Sequence, residues 1–201
     1  EIKGKMTVYY KKAGVADTEL DAYTTEPVDA GKYDVYVSVE ETSTYDAIDK
    51  NNLDKQYEIR KQNVSDKDLT ASGNFTYDGA PHEAEIVPVN NQIGKVTEIY
   101  YHKITGTDAE GNNIEAEGSK DAPSASGRYV VRVCLTSSSN YYSVKLNGNN
   151  KGLKIGEIAI GEKTVDLANF SLNDKSAEYT GSKIELDIPA TLPEGVESIS
   201  F

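Results

Sequence analysis

Apolar and polar residues alternate along Gly31-Lys-Tyr-Asp-Val-Tyr-Val-Ser-Val39, where Tyr33, Val35, Val37 and Val39 share one parity. A period of two sends successive side chains to opposite faces of an extended chain, so the pattern predicts a half-buried strand with those four residues on its core face. The pattern returns in Gly127-Arg-Tyr-Val-Val-Arg-Val-Cys-Leu135, with Tyr129, Val131, Val133 and Leu135 in the equivalent places. No segment sustains a 3.6-residue apolar stripe long enough for a packed helix, and Val64 to Ala71 has room for a single helical turn.

The two strands belong to a longer repetition. Gly4-Lys-Met-Thr-Val-Tyr-Tyr10 matches Gly94-Lys-Val-Thr-Glu-Ile-Tyr-Tyr101 with one extra residue in the second copy, and Gly195-Val-Glu-Ser-Ile-Ser-Phe201 is a third, partial version. Glu26-Pro-Val-Asp-Ala-Gly31 corresponds to Ala122-Pro-Ser-Ala-Ser-Gly127, so proline and glycine bracket a tight connection ahead of each long strand and set its register. Thr42 to Tyr45 corresponds to Ser138 to Tyr141, and Gln56 to Arg60 corresponds to Gly152 to Gly156, all at one offset of 96 (127 minus 31, 155 minus 59). Phe75-Thr-Tyr-Asp-Gly79 is echoed by Ala177-Glu-Tyr-Thr-Gly181 at an offset of 102 (181 minus 79), each followed by an alternating segment, His82 to Val87 or Lys183 to Ile188. The difference in offset belongs to the joining loops.

Short alternating strands split by Gly, Pro, Asn and Asp clusters in a unit of roughly 100 residues predict an all-β protein of tandem immunoglobulin-like antiparallel β-sandwich repeats. Cut before the Tyr-x-Gly strand, the chain is the C-terminal half of one repeat (1–61), a complete repeat (62–160) and the N-terminal half of the next (161–201). Cut before the Tyr-Tyr strand, it is two whole units with permuted strand order, 1–91 and 92–201. Pairing of Phe75 to Val87 with Lys95 to Tyr101 supports the first division, and pairing with Thr7 to Tyr10 the second. Half repeats leave bare sheet edges, which are open to edge-strand pairing between chains.

Composition narrows the function classes. Of the 201 residues 37% are hydrophobic and 27% charged, an ordinary globular balance, and the net charge of -12 without a basic stripe argues against nucleic acid and anionic lipid as partners. No apolar run approaches the ~20 residues that span a bilayer, so membrane insertion is not expected. The chain opens on Glu1, with no charged-then-apolar leader, and reads as a piece of something longer. Cys134 has no second cysteine to pair with and shares a parity with Val130 and Arg132, away from the tyrosine-valine face, as a packed small side chain.

Reactive constellations are missing from the pattern. His82, His102 and one cysteine make no zinc set. The loop Asp108-Ala-Glu-Gly-Asn-Asn-Ile-Glu115 offers oxygen ligands beside a glycine but lacks the twelve-residue calcium spacing, and reads as a solvated hairpin tip. There is no nucleophile elbow, and the 33 acids are scattered as surface charge is. No catalytic, cofactor-binding or metal residue is assigned, and no enzyme activity or cofactor is expected. The 14 tyrosines are the unusual feature, being both strand formers and stacking surfaces. Tyr33, Tyr45, Tyr77, Tyr129 and Tyr141 recur at repeat positions and are read as structural, with rings in the core and hydroxyls bonded at corners. Tyr23, Tyr142 and the loop 105–121 lie off that pattern and are the candidates for contact with a glycan or a host protein.

At Tyr77-Asp-Gly79 and Asp29-Ala-Gly-Lys-Tyr-Asp-Val-Tyr-Val37, with Tyr45 closing the block, the sequence resembles the bacterial immunoglobulin-like repeats called MBG domains and the related YDG repeats. The resemblance covers essentially the whole chain and rests on the ordered set of signatures. Thr180 departs from it in place of Asp, and Ser126 in place of Ala. It implies a tandem module of secreted or wall-attached bacterial proteins, where such repeats act as spacers, form parts of adhesins or sit beside glycoside-active modules. It carries over no catalytic residue. The expectation is a non-catalytic structural spacer at the cell surface whose partners are neighbouring repeats, with a carbohydrate- or host-protein-binding module as the rival.

Overall fold

The computed structural model describes residues 4–18, 22–146, 151–168, 170–171, 176–182 and 191–199. Among these the protein is all-β, with no helix. In chain order the strands are β1 (Met6–Lys12), β2 (Tyr23–Thr24), β3 (Gly31–Val39), β4 (Ile48–Ile59), β5 (Leu69–Ser72), β6 (Asn74–Thr76), β7 (Glu85–Pro88), β8 (Val96–Thr107), β9 (Asn113–Glu115), β10 (Gly127–Leu135) and β11 (Leu153–Gly161). They form two sheets in a sandwich-like architecture. The first has the order β2-β1-β3-β4, and the second β7-β5-β11-β10-β8-β9 with β6 also on β11.

The two long alternating strands sit in the middle of their sheets. β3 lies antiparallel between β1 and β4, with Val8 opposite Val37 and Tyr33 opposite Tyr57. β10 lies antiparallel between β8 and β11, with Val131 opposite both Tyr101 and Gly156. The same local contacts accompany both strands. Tyr33 Oη donates to the Asp29 carbonyl (2.6 Å) and Tyr129 Oη to the Ala125 carbonyl (2.8 Å), each four residues back across the turn before its strand. Gly4 and Gly94 sit so close to the partner strand that a Cβ would stand 2.3 Å from the Glu40 carbonyl oxygen and 1.8 Å from that of Thr136. Only glycine allows those approaches, which adjoin the hydrogen bonds Glu40 N to Lys5 O and Thr136 N to Lys95 O.

The main core lies wholly between Val64 and Ile160. Leu69, Ala71, Tyr101, Tyr129, Val131, Val133, Leu135, Ile155, Ile158 and Ile160 form one buried cluster, with Phe75, Ile86, Ile93 and Ile99 packed against it. β5 is joined to β11 in parallel through Gly156 and Ala71, and carries β7 on its other edge. A Cβ on Gly156 would meet the Ala71 carbonyl oxygen at 2.0 Å, so this bridge requires glycine. Burial of about ten large apolar side chains, each worth roughly 1.5–3 kcal/mol, is the dominant stabilising term here.

Several sequence expectations are corrected. Val64 to Ala71 makes no helical turn: residues 66–68 form a turn closed by Asp68, whose carboxylate accepts from the Ser65 N–H and hydroxyl, and β5 starts at Leu69. The parity rule is incomplete, because Tyr36 on β3 and Val130 on β10 are buried on the face away from the tyrosine-valine core, where Cys134 is packed as expected. Tyr45 is 60% exposed, and its ring is not in a core. Its counterpart Tyr141 is held because its hydroxyl accepts from Asn90 Nδ2 (2.8 Å), and Asn90 belongs to the segment that covers the second sheet. Tyr77 is likewise exposed.

Strand pairing follows neither alternative set for Phe75 to Val87: β6 joins β11 and β7 joins β5. Strands β5 to β11 pair only with one another, as do β1 to β4. Of the third Tyr-Tyr-type segment, residues 195–199 form no strand, and Ser200 and Phe201 lie outside the described residues. Lys183 to Ile188 also lie outside them.

Candidate functional site

The outer faces of β3 and β10 are each covered by the excursion that precedes the strand, and polar side chains pin it down. On the second sheet the pin is ionic. Arg132 projects from β10 and grips Glu115 of β9 through two bonds, Nε to Oε2 (3.0 Å) and Nη2 to Oε1 (2.9 Å), while its Nη1 donates to the Gly152 carbonyl (3.0 Å). Planar guanidinium matches planar carboxylate, so the pair fixes orientation as well as distance. Burial pushes the Glu115 carboxyl upward, but the hydrogen bonds and charge of Arg132, helped by His102 and Lys151, hold it below its ordinary value.

Beside this pair lies buried His102, whose Nδ1 donates to the Ala116 carbonyl (3.0 Å). Its Nε2 is sealed from water and meets no hydrogen-bond partner among the described residues. Gly118 lies flat on the ring: a Cβ there would fall 2.5 Å from Nε2. The excursion is pinned further by the paired backbone bonds of Tyr101 and Ser119, and by Lys120 Nζ donating to Glu98 Oε1 (2.6 Å).

On the first sheet the pin is aromatic and ionic together. Lys11 binds Asp17, and Tyr23 Oη donates to the same carboxylate (3.1 Å). The Lys11 bond holds the Asp17 carboxyl down, and Asp17 in turn holds the Lys11 ammonium up. The Tyr23 ring meets Tyr36 edge-on at 5.0 Å, and Lys50 Nζ stands 5.5 Å from the Tyr23 centroid. Burial and then Asp17 push the Tyr23 hydroxyl up, keeping it protonated. Tyr23, proposed from sequence as a contact residue, therefore has its ring edge and hydroxyl engaged within the protein.

Tyr142 is placed differently. It is 51% exposed and lines two open clefts, one of about 460 Å³ with Asn63, Val64, Lys145 and Leu153, the other of about 570 Å³ with Lys32, Glu58, Arg60 and Lys61. These clefts flank the passage between the sheets, which is bonded across. Asn140 Oδ1 accepts from Ala30 N (2.7 Å), Asn140 Nδ2 donates to Asp29 Oδ1 (2.9 Å), Lys61 Nζ donates to the Ser138 carbonyl (2.6 Å), and Gln62 exchanges backbone bonds with Asn140 and Tyr142.

The remaining candidates carry no reactive geometry. In the loop 105–121 the Asp108 carboxylate is consumed by its own turn, accepting from Glu110 N, Asn112 N and Asn112 Nδ2; the Asn112 side chain above all lowers its carboxyl. Among the described residues no three His, Cys, Asp or Glu side chains are grouped to hold a metal ion. Burial pushes the Cys134 thiol up, away from the thiolate that nucleophilic chemistry needs. His82 stacks on Phe75 at 4.5 Å and meets Asp78 at 3.0 Å.

Sequence reading missed the Arg132–Glu115–His102 group. A cation between Val131 and Val133 in the core strand β10 was the available signal, since a charge so placed needs a partner. Asn140 lies in the repeated block Ser138 to Tyr141, but nothing in the sequence marked it as a bonding residue. Comparison with family models, curated proteins and solved structures gave no match. No described helix is long and apolar enough to cross a membrane.

Proposed function

We propose that this chain is a segment of tandem immunoglobulin-like repeats of the MBG and YDG kind, acting as a non-catalytic spacer in an extracellular bacterial surface protein. One observation carries the reading: two meanders, β1-β3-β4 and β8-β10-β11, share the tyrosine hydroxyl bond and the glycine approach at matched positions of the sequence repeat. Copying a sheet-forming block adds length, and each copy rests chiefly on its neighbours. On this reading 62–160 is the complete unit, flanked by halves in 1–61 and 161–201.

The bonded passage at Asn140 and Lys61 favours a positional role, because a spacer transmits orientation only where successive blocks are fixed to one another. The polar groups around Arg132 and Asp17 serve this purpose too, holding loops to sheets. Small-angle scattering tests the reading: an extended particle with one fixed length is expected, and a compact sphere would refute it.

The rival is a glycan- or protein-binding module, and the exposure of Tyr142 between two clefts is what favours it. Binding on a glycan array that disappears in Tyr142→Ala supports the rival. Silence across the array, with the extended profile retained, supports the spacer.

A further inference from the structure

The first sheet has a core face that is only partly covered. Its positions match those of the second sheet one for one in the sequence repeat: Tyr10 with Tyr101, Val35 with Val131, Val37 with Val133, Tyr57 with Leu153. In the second sheet Tyr101, Val131 and Val133 are buried beneath Leu69, Ala71, Phe75 and Ile86. In the first, Val37 and Tyr33 are buried, but Val35 and Tyr10 are only half-buried, Val8 is 38% and Tyr57 46% exposed, and the main core cluster includes no residue before Val64. Tyr10 and Tyr57, from the strands either side of β3, meet at 5.3 Å across it and roof part of the face. Apolar area of this kind is a standing driving force for association.

The chain also carries a cover without a face. The segment beyond β11 repeats the spacing of the covering segment: Val165, Phe170 and Leu172 stand at the separations of Val64, Leu69 and Ala71, and Tyr179-Thr-Gly181 echoes Tyr77-Asp-Gly79. Val64 and Leu69 are buried on the second sheet, whereas Val165 is 38% and Tyr179 93% exposed. Of the described part of this segment, residues 162–168 and 176–182 form no strand.

We propose that the open face of the first sheet, centred on Val8, Tyr10, Val35 and Tyr57, takes the segment from residue 162 onward of a second copy of this chain. The inference rests on the repeat reading above and names the partner that reading leaves open. The donated segment takes the place that β5 to β7 hold on the second sheet, laying its apolar side chains on the face and closing the half unit. Donor and acceptor lie at opposite ends of the sequence, so the contact is head-to-tail and does not close on itself by two-fold symmetry. Each copy that accepts one segment still offers its own.

Sedimentation of the full 201-residue chain over a wide concentration range tests this. The wild type is expected to form a ladder of oligomers as concentration rises. Val35→Asp, which spoils the face, and Phe170→Asp, which spoils the cover, are each expected to be monomeric. Mixed together the two variants are expected to give a dimer and nothing larger, because one retains a sound cover and the other a sound face. A wild type that stays monomeric, or a mixture that fails to dimerise, overturns the proposal. Association lost in Val35→Asp but kept in Phe170→Asp overturns it as well, showing two first sheets meeting face to face. Phe170 lies outside every strand, so that variant folds independently of the outcome. An extended scattering profile with no ladder removes this contact and leaves the spacer reading standing.

Discussion

At the scale of single residues, the two kinds of tyrosine and the part-buried ion pair show how identity of type conceals difference of role. Tyr129 is buried with its hydroxyl on the Ala125 carbonyl, and burial pushes that hydroxyl up, so it stays a donor at any ordinary pH. Tyr129→Phe keeps the ring and removes the bond, and should cost about 1 kcal/mol in urea unfolding. Glu115 makes a larger case. Its carboxyl is held below the ordinary 4.5, so its contribution is complete above that value and is lost as pH falls through the depressed one. Glu115→Gln leaves the part-buried Arg132 without its carboxylate, which should cost about 2 kcal/mol at pH 7. The variant should also lose less stability than the wild type between pH 5 and pH 3, and acid titration of the unfolding midpoint measures both effects.

At the scale of elements, the protein depends on a few places where backbones touch. β5 reaches the sheet through the Gly156–Ala71 bridge, and with it come β7 and the Leu69 side chain that plugs the core. Gly156→Ala puts a methyl against a carbonyl oxygen that belongs to backbone and cannot swing aside. The expected cost is about 3 kcal/mol, at the high end for overpacking, with amide exchange quickening first in β5 and β7. Hydrogen exchange that quickens uniformly would show that the bridge does not hold those strands separately.

At the scale of the whole molecule, the passage between the sheets is a bonded joint. Asn140 bonds Asp29 and Ala30 from one side while its own carbonyl accepts from Gln62 N. Asn140→Ala removes two of these bonds and leaves both sheets intact, so the overall unfolding midpoint should move by less than about 1 kcal/mol. Orientation is what should change. Proteolysis at Arg60 and Lys61 should accelerate several-fold, and the scattering profile should broaden toward a range of lengths.

Alternation of apolar residues and the spacing of glycine, proline and tyrosine determined the β class and the long strands β3 and β10 with their core faces, because a period of two and a tight turn are properties of the local chain. The repetition likewise pointed to Tyr33 and Tyr129 as corner residues, since both lie four residues beyond the turn that receives their hydroxyls. Only the tertiary structure decided what lies on the other face. The excursions fold back over β3 and β10, which buries Tyr36 and Val130 against parity and brings Glu115 to Arg132 across 17 residues. The fate of Tyr45 and Tyr141 was decided the same way: equal signatures give unequal burial because Asn90 reaches only one of them. Local pattern fixes the conformation of a strand, whereas burial is set by whatever the rest of the chain lays upon it.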